Sequence, residues 1–217
     1  TKALDGFVNE TYRGLEYNML RKRYFENRRQ ITTAKQRRAT KTGQLSPYDA
    51  IIKTYATKYG FDWRLMAAQA FVESEFNPKA KSWAGARGLF QVMPGTAKEL
   101  GFSDLENPEQ GIHAGIKYMN HLMGRFNKSL PFRQRLRFAL AAYNVGLGHV
   151  QDARRLAREQ GLNPDRWFGN VEKAMLMLQH PTHCKRARFG YCRGSEPVQY
   201  VSKIQSLYDA YTELVKP

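Results

Sequence analysis

Long apolar runs, sustained alternation and internal repeats are all missing from this sequence of 217 residues. No eighteen consecutive apolar residues occur, so nothing in the sequence predicts a membrane-spanning helix. Because no segment alternates apolar and polar residues for long, an all-β fold is excluded, and the absence of a repeat excludes a solenoid. No glycine-rich phosphate loop occurs, so the sequence gives no indication of a nucleotide cofactor.

Acidic residues are also scarce. Lys and Arg outnumber Asp and Glu by 35 to 19, a net charge of +16. Such a balance favours a polyanionic partner, which could be nucleic acid, an anionic membrane or an acidic cell wall, without choosing among them. Hydrophobic residues make up 42% of the chain, enough for a core. Wholesale disorder is therefore not expected.

Only two cysteines occur, and they flank a short basic loop. Cys184 and Cys192 could form a disulfide, which would suit an oxidising compartment. The second interpretation is two free thiols. A third is a metal site, because His180 and His183 stand just ahead of Cys184, although closed zinc sites usually show tighter paired spacing. The sequence leaves all three open.

Apolar residues recur at helical spacing along most of the chain, so the predicted fold class is all-α. Ser46-Pro47 and Asn107-Pro108 predict helix starts, as does Asp62, and Gly60 predicts a helix end. Residues 32–44 are polar and basic and predict a linker, and a small hairpin is expected around 184–192. The predicted helices cover residues 7–30, 46–59, 63–76, 96–100, 108–126, 131–143, 148–160, 164–179 and 197–215.

One carboxylate, Glu73, stands near the end of an apolar helix. Its neighbours Phe71, Val72 and Phe76 would strip water from it, so its pKa should rise and it could hold a proton near neutrality. Such a group can protonate a leaving oxygen and later remove a proton. Glu75 points towards the opposite face and is the better candidate for a solvated carboxylate.

Three segments in fixed order carry a family resemblance. Residues 67–97 read AAQAFVESEFNPKAKSWAGARGLFQVMPGTA, residues 141–146 read AAYNVG, and residues 196–201 read EPVQYV. Together they resemble the lytic transglycosylases, enzymes related to goose-type lysozyme that cut the glycan strands of the bacterial cell wall. The third segment departs from the family pattern, because Pro197 stands where Thr is usual.

The resemblance implies a lysozyme-like helical domain over residues 46–217 with Glu73 as its only catalytic acid and base. A single carboxylate fits assistance by the substrate. Glu73 would protonate the oxygen between N-acetylmuramic acid and N-acetylglucosamine, and the muramoyl C6 hydroxyl would then close a 1,6-anhydro ring. No metal or cofactor is expected. The residues implied to bind substrate are Ser82, Gln91, Met93, Tyr143, Asn144, Glu196 and Tyr200.

Within this family the arrangement is closest to the membrane-bound enzymes of the F type, whose catalytic module follows a domain resembling solute-binding proteins. Residues 1–45 are then a helical extension and basic linker, the tail of a missing upstream domain. The expected location is the Gram-negative periplasm, with the full-length protein attached to the outer membrane and this part soluble and monomeric. The expected partners are peptidoglycan glycan strands, muropeptides and the upstream domain, with no nucleic acid.

Three other functions compete with this interpretation. A goose-type lysozyme would hydrolyse the same bond and would need a second carboxylate, for which Asp104 is a candidate. A basic helical nucleic-acid binder is supported by the basic clusters at residues 21–23, 28–29 and 37–38, but leaves the three segments unexplained. A wall-binding module without activity is disfavoured by the presence of Glu73.

Overall fold

The computed structural model describes residues 43–216. Over this range the chain is helical, without a named strand, and the only extended pairing is two isolated bridges, Lys81 with Arg87 and Arg87 with Val92. The predicted helix over 7–30 and nearly all of the predicted linker lie outside the described residues. The helices are α1 Asp49–Tyr59, α2 Trp63–Ser74, α3 Pro94–Glu99, α4 Pro108–Gly124, α5 Phe132–Val145, α6 Leu147–Glu159, α7 Glu172–Met177, α8 Pro181–Cys184 and α9 Ser195–Leu214.

Most predicted helix ends are confirmed, with the expected chemistry. Gly60 ends α1 in the left-handed conformation with φ 72°. Asp62 caps α2 by accepting the N–H of Arg64, and Asn107 caps α4 ahead of Pro108. Helix α1 begins three residues later than predicted, because the Asp49 carboxylate accepts hydrogen bonds from the backbone N–H and hydroxyl of Ser46.

The closing helix α9 packs mainly against α2 and α5, and this packing brings residues 63–74 and 195–214 together. Hydrogen bonds join the C-terminal part of α9 to the start of α2. The Tyr208 hydroxyl donates to Asp62 at 2.9 Å, and the buried Arg64 donates both to Asp62 and to the Val215 carbonyl. A helix held at this end is fixed in rotation, so its earlier turns reach the end of α2 in a defined orientation.

The predicted helix over residues 164–179 is wrong in its first half. A π-helical turn, Trp167–Val171, precedes α7, and inside it Phe168 and Gly169 leave helical geometry, Gly169 with φ 76°. Trp167 is completely buried, and its ring meets the edge of Phe138 at 6.1 Å between centroids. The break lets the indole enter the core, a tertiary effect that outweighs local helical propensity.

The segment between the cysteines also differs from expectation. In place of a hairpin it forms turns that follow the short helix α8, and both thiols are free, so the disulfide alternative does not form. Cys192 is buried with its Sγ 3.7 Å from the Sδ of Met175, and burial raises the pKa of its thiol to about 11. Between residues 43 and 216 no group of three metal-binding side chains gathers, so the metal alternative gains no support.

None of the helices in the described part of the chain is both long enough and apolar enough to cross a membrane.

Candidate active site

The site begins where α2 stops. Glu75 and Phe76 adopt left-handed backbone conformations, with φ of 51° and 64°, and turn the chain sharply after Ser74. The Ser74 hydroxyl hydrogen-bonds to the carbonyls of Ala70, at 3.2 Å, and Leu89, at 2.9 Å. One side chain therefore ties the helix end to the loop that follows it, directly beside Glu73.

Glu73 is held by the closing helix. The Tyr200 hydroxyl donates to Glu73 Oε1 at 2.5 Å, and the Tyr200 oxygen in turn accepts from Gln69 Nε2 at 3.2 Å. Gln69 is fully buried and precedes Glu73 by one turn of α2, so both side chains face α9. The chain of three groups fixes the orientation of the carboxyl from the side of the core.

The acidity of Glu73 suits a proton donor. Burial raises its pKa to about 7, while the hydrogen bond from Tyr200 lowers it and offsets part of that effect. Near neutral pH both protonation states are therefore well populated. This confirms the expectation, made from its apolar neighbours, that Glu73 can hold a proton near neutrality.

Tyr143 approaches the same carboxyl from α5. Its hydroxyl donates to the Phe90 carbonyl at 2.8 Å, and its ring lies 5.1 Å from that of Tyr118. Burial, followed by the nearby Glu73 carboxylate, raises the pKa of Tyr143 well above its usual range. Tyr143 and Tyr200 thus both lie within electrostatic range of Glu73, and both keep their protons.

The loop between α2 and α3, residues 75–93, lies beside Glu73 and forms the wall loop of the site. Gln91 adopts a left-handed conformation, φ 47°, and its amide nitrogen donates to the carbonyls of Ala80, at 3.0 Å, and Gly88, at 2.9 Å. The Ser82 hydroxyl accepts the N–H of Ala86 at 3.0 Å. Both side chains brace the loop, a role that the sequence did not indicate. Met93, at the start of α3, is 45% exposed and available for contact.

The two remaining predicted residues, Asn144 and Glu196, are exposed to solvent. Asn144 is exposed beside Tyr143 at the end of α5. Glu196 is exposed in the first turn of α9 and forms an ion pair with Arg193 at 2.9 Å. The structure thus joins Glu73 to Tyr200 directly and to Tyr143 electrostatically, while it gives Glu196 a surface partner. Gln69 was not predicted as a site residue, although its position four residues before Glu73 was the available signal.

Asp104, the candidate second carboxylate, is used within its own loop. Its Oδ1 accepts the backbone N–H groups of Glu106, at 3.0 Å, and Asn107, at 3.1 Å. Glu106 in turn pairs with Lys81 at 2.9 Å and so connects two loops. Both carboxylates have local structural roles.

The family model of the transglycosylase SLT domain matches residues 50–165. The chain belongs to this family, and the lytic transglycosylase class predicted from the three segments is confirmed. Membrane-bound lytic murein transglycosylase F of Shewanella pealeana is 45% identical over 166 residues, which cover 76% of this chain and 34% of that protein. The protein of the same name from Pseudomonas fluorescens is 41% identical over 174 residues, 80% of this chain and 36% of its own.

A solved structure agrees with these relatives. The 70 kDa soluble lytic transglycosylase Slt70 of Escherichia coli is 29% identical with a TM-score of 0.52, and the match covers 76% of this chain and 24% of that one. The likeness confirms the all-α, lysozyme-like fold class. The chain spans about a third of the length of the curated relatives it matches.

Proposed function

We propose that this chain is the catalytic domain of a peptidoglycan lytic transglycosylase that cleaves the bond between N-acetylmuramic acid and N-acetylglucosamine with Glu73 as its single acid and base. The observation that carries the proposal is the hydrogen bond from Tyr200 to a half-buried Glu73 whose pKa is raised to about 7. A carboxyl with that acidity can both donate and accept a proton at neutral pH.

In the first step Glu73 gives its proton to the glycosidic oxygen as the bond from that oxygen to the muramoyl C1 breaks. The acetamide oxygen of the same sugar bonds to C1 and stabilises the positive charge, the substrate-assisted alternative to a second carboxylate. Tyr200 donates to the carboxylate that Glu73 has become and stabilises it. This step needs no second acidic residue, in keeping with the local roles of Asp104 and Glu106.

In the second step the Glu73 carboxylate removes the proton of the C6 hydroxyl on the muramoyl ring. The C6 oxygen bonds to C1 as the acetamide oxygen leaves, and a 1,6-anhydro ring closes without consuming water. Glu73 ends the cycle protonated again. Ser82, Gln91, Met93, Tyr143 and Asn144 line or brace the cleft in which the sugars bind, and Glu196 contributes at its margin.

Digestion of purified peptidoglycan, followed by mass spectrometry, tests this reaction. The wild type is expected to release products lighter by one water than hydrolysed muropeptides. Glu73→Gln should reduce their rate of release by about 10²- to 10⁴-fold, the usual contribution of a general acid and base. Glu75→Gln, an exposed carboxylate two residues on, is the matched control and should stay near the wild-type rate. Products with ordinary reducing ends would instead identify a lysozyme.

The full-length protein is proposed to act in the periplasm, attached to the outer membrane, with the domain at 46–217 following an upstream domain. The names of the F-type relatives and the third of their length that this chain covers support this arrangement. Fractionation of cells that produce the full-length protein tests it, and recovery from the cytoplasm would contradict it. Equal activity of residues 46–217 alone would show that residues 1–45 are dispensable for catalysis.

A further inference from the structure

Trp83 is the most exposed large apolar side chain in the described part of the chain. Its side chain is 101% exposed, whereas the other two tryptophans, Trp63 and Trp167, are 7% and 0% exposed. Tryptophan is highly buried on average, so an indole with both faces in solvent is an unusual arrangement. An exposed indole offers a large, flat apolar surface that a ligand can cover.

The turn that carries Trp83 is held firmly. Ser82 N donates to the Ala86 carbonyl, Ala86 N to the Ser82 hydroxyl, and Gly85 N to the Ser82 carbonyl, each at 3.0 Å. Gly85 has φ 93°, a conformation that side-chain-bearing residues rarely adopt. The backbone of Trp83 is therefore fixed before any ligand arrives, which reduces the entropic cost of binding.

The same turn belongs to the loop that lies beside Glu73. It is the tip of the wall loop that Ser74 holds at Leu89 and that Tyr143 holds at Phe90. Trp83 follows Ala80, whose carbonyl accepts a hydrogen bond from the Gln91 amide, by three residues, which span at most roughly 10 Å. Trp83 thus lies at the tip of the wall loop, next to Ser82, which the family resemblance implies to bind substrate.

We propose that Trp83 is a carbohydrate-binding residue that stacks its indole against a sugar ring of the glycan strand, beyond the ring whose bond is cleaved. The inference rests on the proposed function, because that function places a glycan along this wall. The C–H groups on one face of a β-linked pyranose form a flat apolar surface, and a rigid aromatic ring provides the matching surface. The neighbouring Ser82 lies on the same turn, so one loop contributes both polar and apolar contacts.

Fluorescence quenching provides a direct test, because the other two tryptophans are buried. In Glu73→Gln, acrylamide should quench Trp83 freely, and Trp83→Phe should lose that quenchable component. A saturating β-1,4-linked N-acetylglucosamine tetramer, or peptide-free glycan strands, should protect Trp83 from the quencher. Binding of these glycans by calorimetry with Trp83 still fully quenchable would overturn this inference alone. Protection by free stem peptide and not by the sugars would overturn it in favour of a peptide contact.

Kinetics supply the second measurement. Trp83→Ala should raise KM for peptide-free glycan about 3- to 10-fold and leave kcat within about twofold, the loss expected for one aromatic stacking contact. Trp83→Phe should restore most of the affinity. Phe132→Ala is the matched control, since Phe132 is 48% exposed at the opposite end of α5, roughly 16 Å along the helix from Tyr143. An unchanged KM in Trp83→Ala would overturn the proposal, whereas absence of anhydro products from the wild type would overturn the proposed function instead.

Discussion

At the level of single residues, the protonation of Glu73 is set by two opposing influences. Burial at the end of α2 disfavours the charged form, and the hydrogen bond from Tyr200 favours it. The outcome, a pKa of about 7, allows one group to act first as acid and then as base. Tyr200 is thus a positioning residue that also adjusts acidity, and Gln69 orients it in turn.

Tyr200→Phe tests this adjustment. The substitution removes the donor that stabilises the carboxylate and keeps the ring, so the pKa of Glu73 should rise further. Because the first step needs protonated Glu73, activity of the wild type should fall as pH rises through about 7. In Tyr200→Phe that fall should move to higher pH, with a lower maximum rate. The pH dependence of kcat/KM measures where this fall occurs in each protein, and a fall at unchanged or lower pH in Tyr200→Phe would contradict the assignment.

Among the structural elements, the wall loop keeps its position because its backbone packs very closely against Leu105 and α4. A Cβ on Gly88 would lie 2.0 Å from the Leu105 carbonyl oxygen, and one on Gly111 would lie 2.6 Å from the same atom. A Cβ on Gly115 would meet the Phe90 ring at 2.3 Å. Glycines in the wall loop and in α4 thus allow the loop to pack closely against Leu105 and α4, and this packing places Leu89 and Phe90 where Ser74 and Tyr143 bind them.

Gly88→Ala should therefore destabilise the protein and displace the wall. Gly85→Ala is the matched control, because Gly85 also has positive φ, at 93° compared with 77° for Gly88, but faces open space. Both variants bear the cost of a side chain at positive φ, and the clash should add about 1–3 kcal/mol to the loss in Gly88→Ala. Urea unfolding measures the difference in free energy of unfolding. Equal losses in the two variants would show that the approach to Leu105 does not matter.

For the whole molecule, the net charge of +16 should affect the encounter with the proposed substrate more than the chemical steps. Under the proposed function, the carboxylates of muramic acid and the stem peptides would attract this basic chain to the cell wall in a salt-dependent way. The charge by itself left nucleic acid open as a partner. The three ordered segments, which a nucleic-acid binder does not explain, decided the family.

Salt should weaken the attraction without affecting the site. Raising NaCl from low concentration to about 0.15 M, where the Debye length is about 8 Å, should increase KM for peptide-bearing peptidoglycan several-fold, with kcat little changed. Affinity of Glu73→Gln for the neutral N-acetylglucosamine tetramer should stay constant over the same range, because that ligand has no charge. Equal salt dependence for the neutral and the charged ligand would contradict an electrostatic origin.

The helical class and the acidic residue followed from local patterns. Periodicity and capping at Gly60, Asp62 and Asn107 are properties of neighbouring residues, so the sequence revealed them. Glu73 was proposed as the acid from its apolar neighbours together with the family resemblance. The break at Phe168 and Gly169 was missed because it serves a core position for Trp167, which no local pattern reports.

The sequence by itself determined the all-α class and the family, and it pointed to Glu73 as the proposed acid, because helical periodicity and ordered motifs are encoded over short distances. The tertiary structure alone decided which groups meet. Tyr200 is 127 residues from Glu73 and reaches it because α9 packs against α2. Gln91 and Ser82 turned out to brace the wall loop, and the two thiols remain apart as free groups. Contacts between distant segments depend on packing of the whole core, which is why local patterns did not specify them.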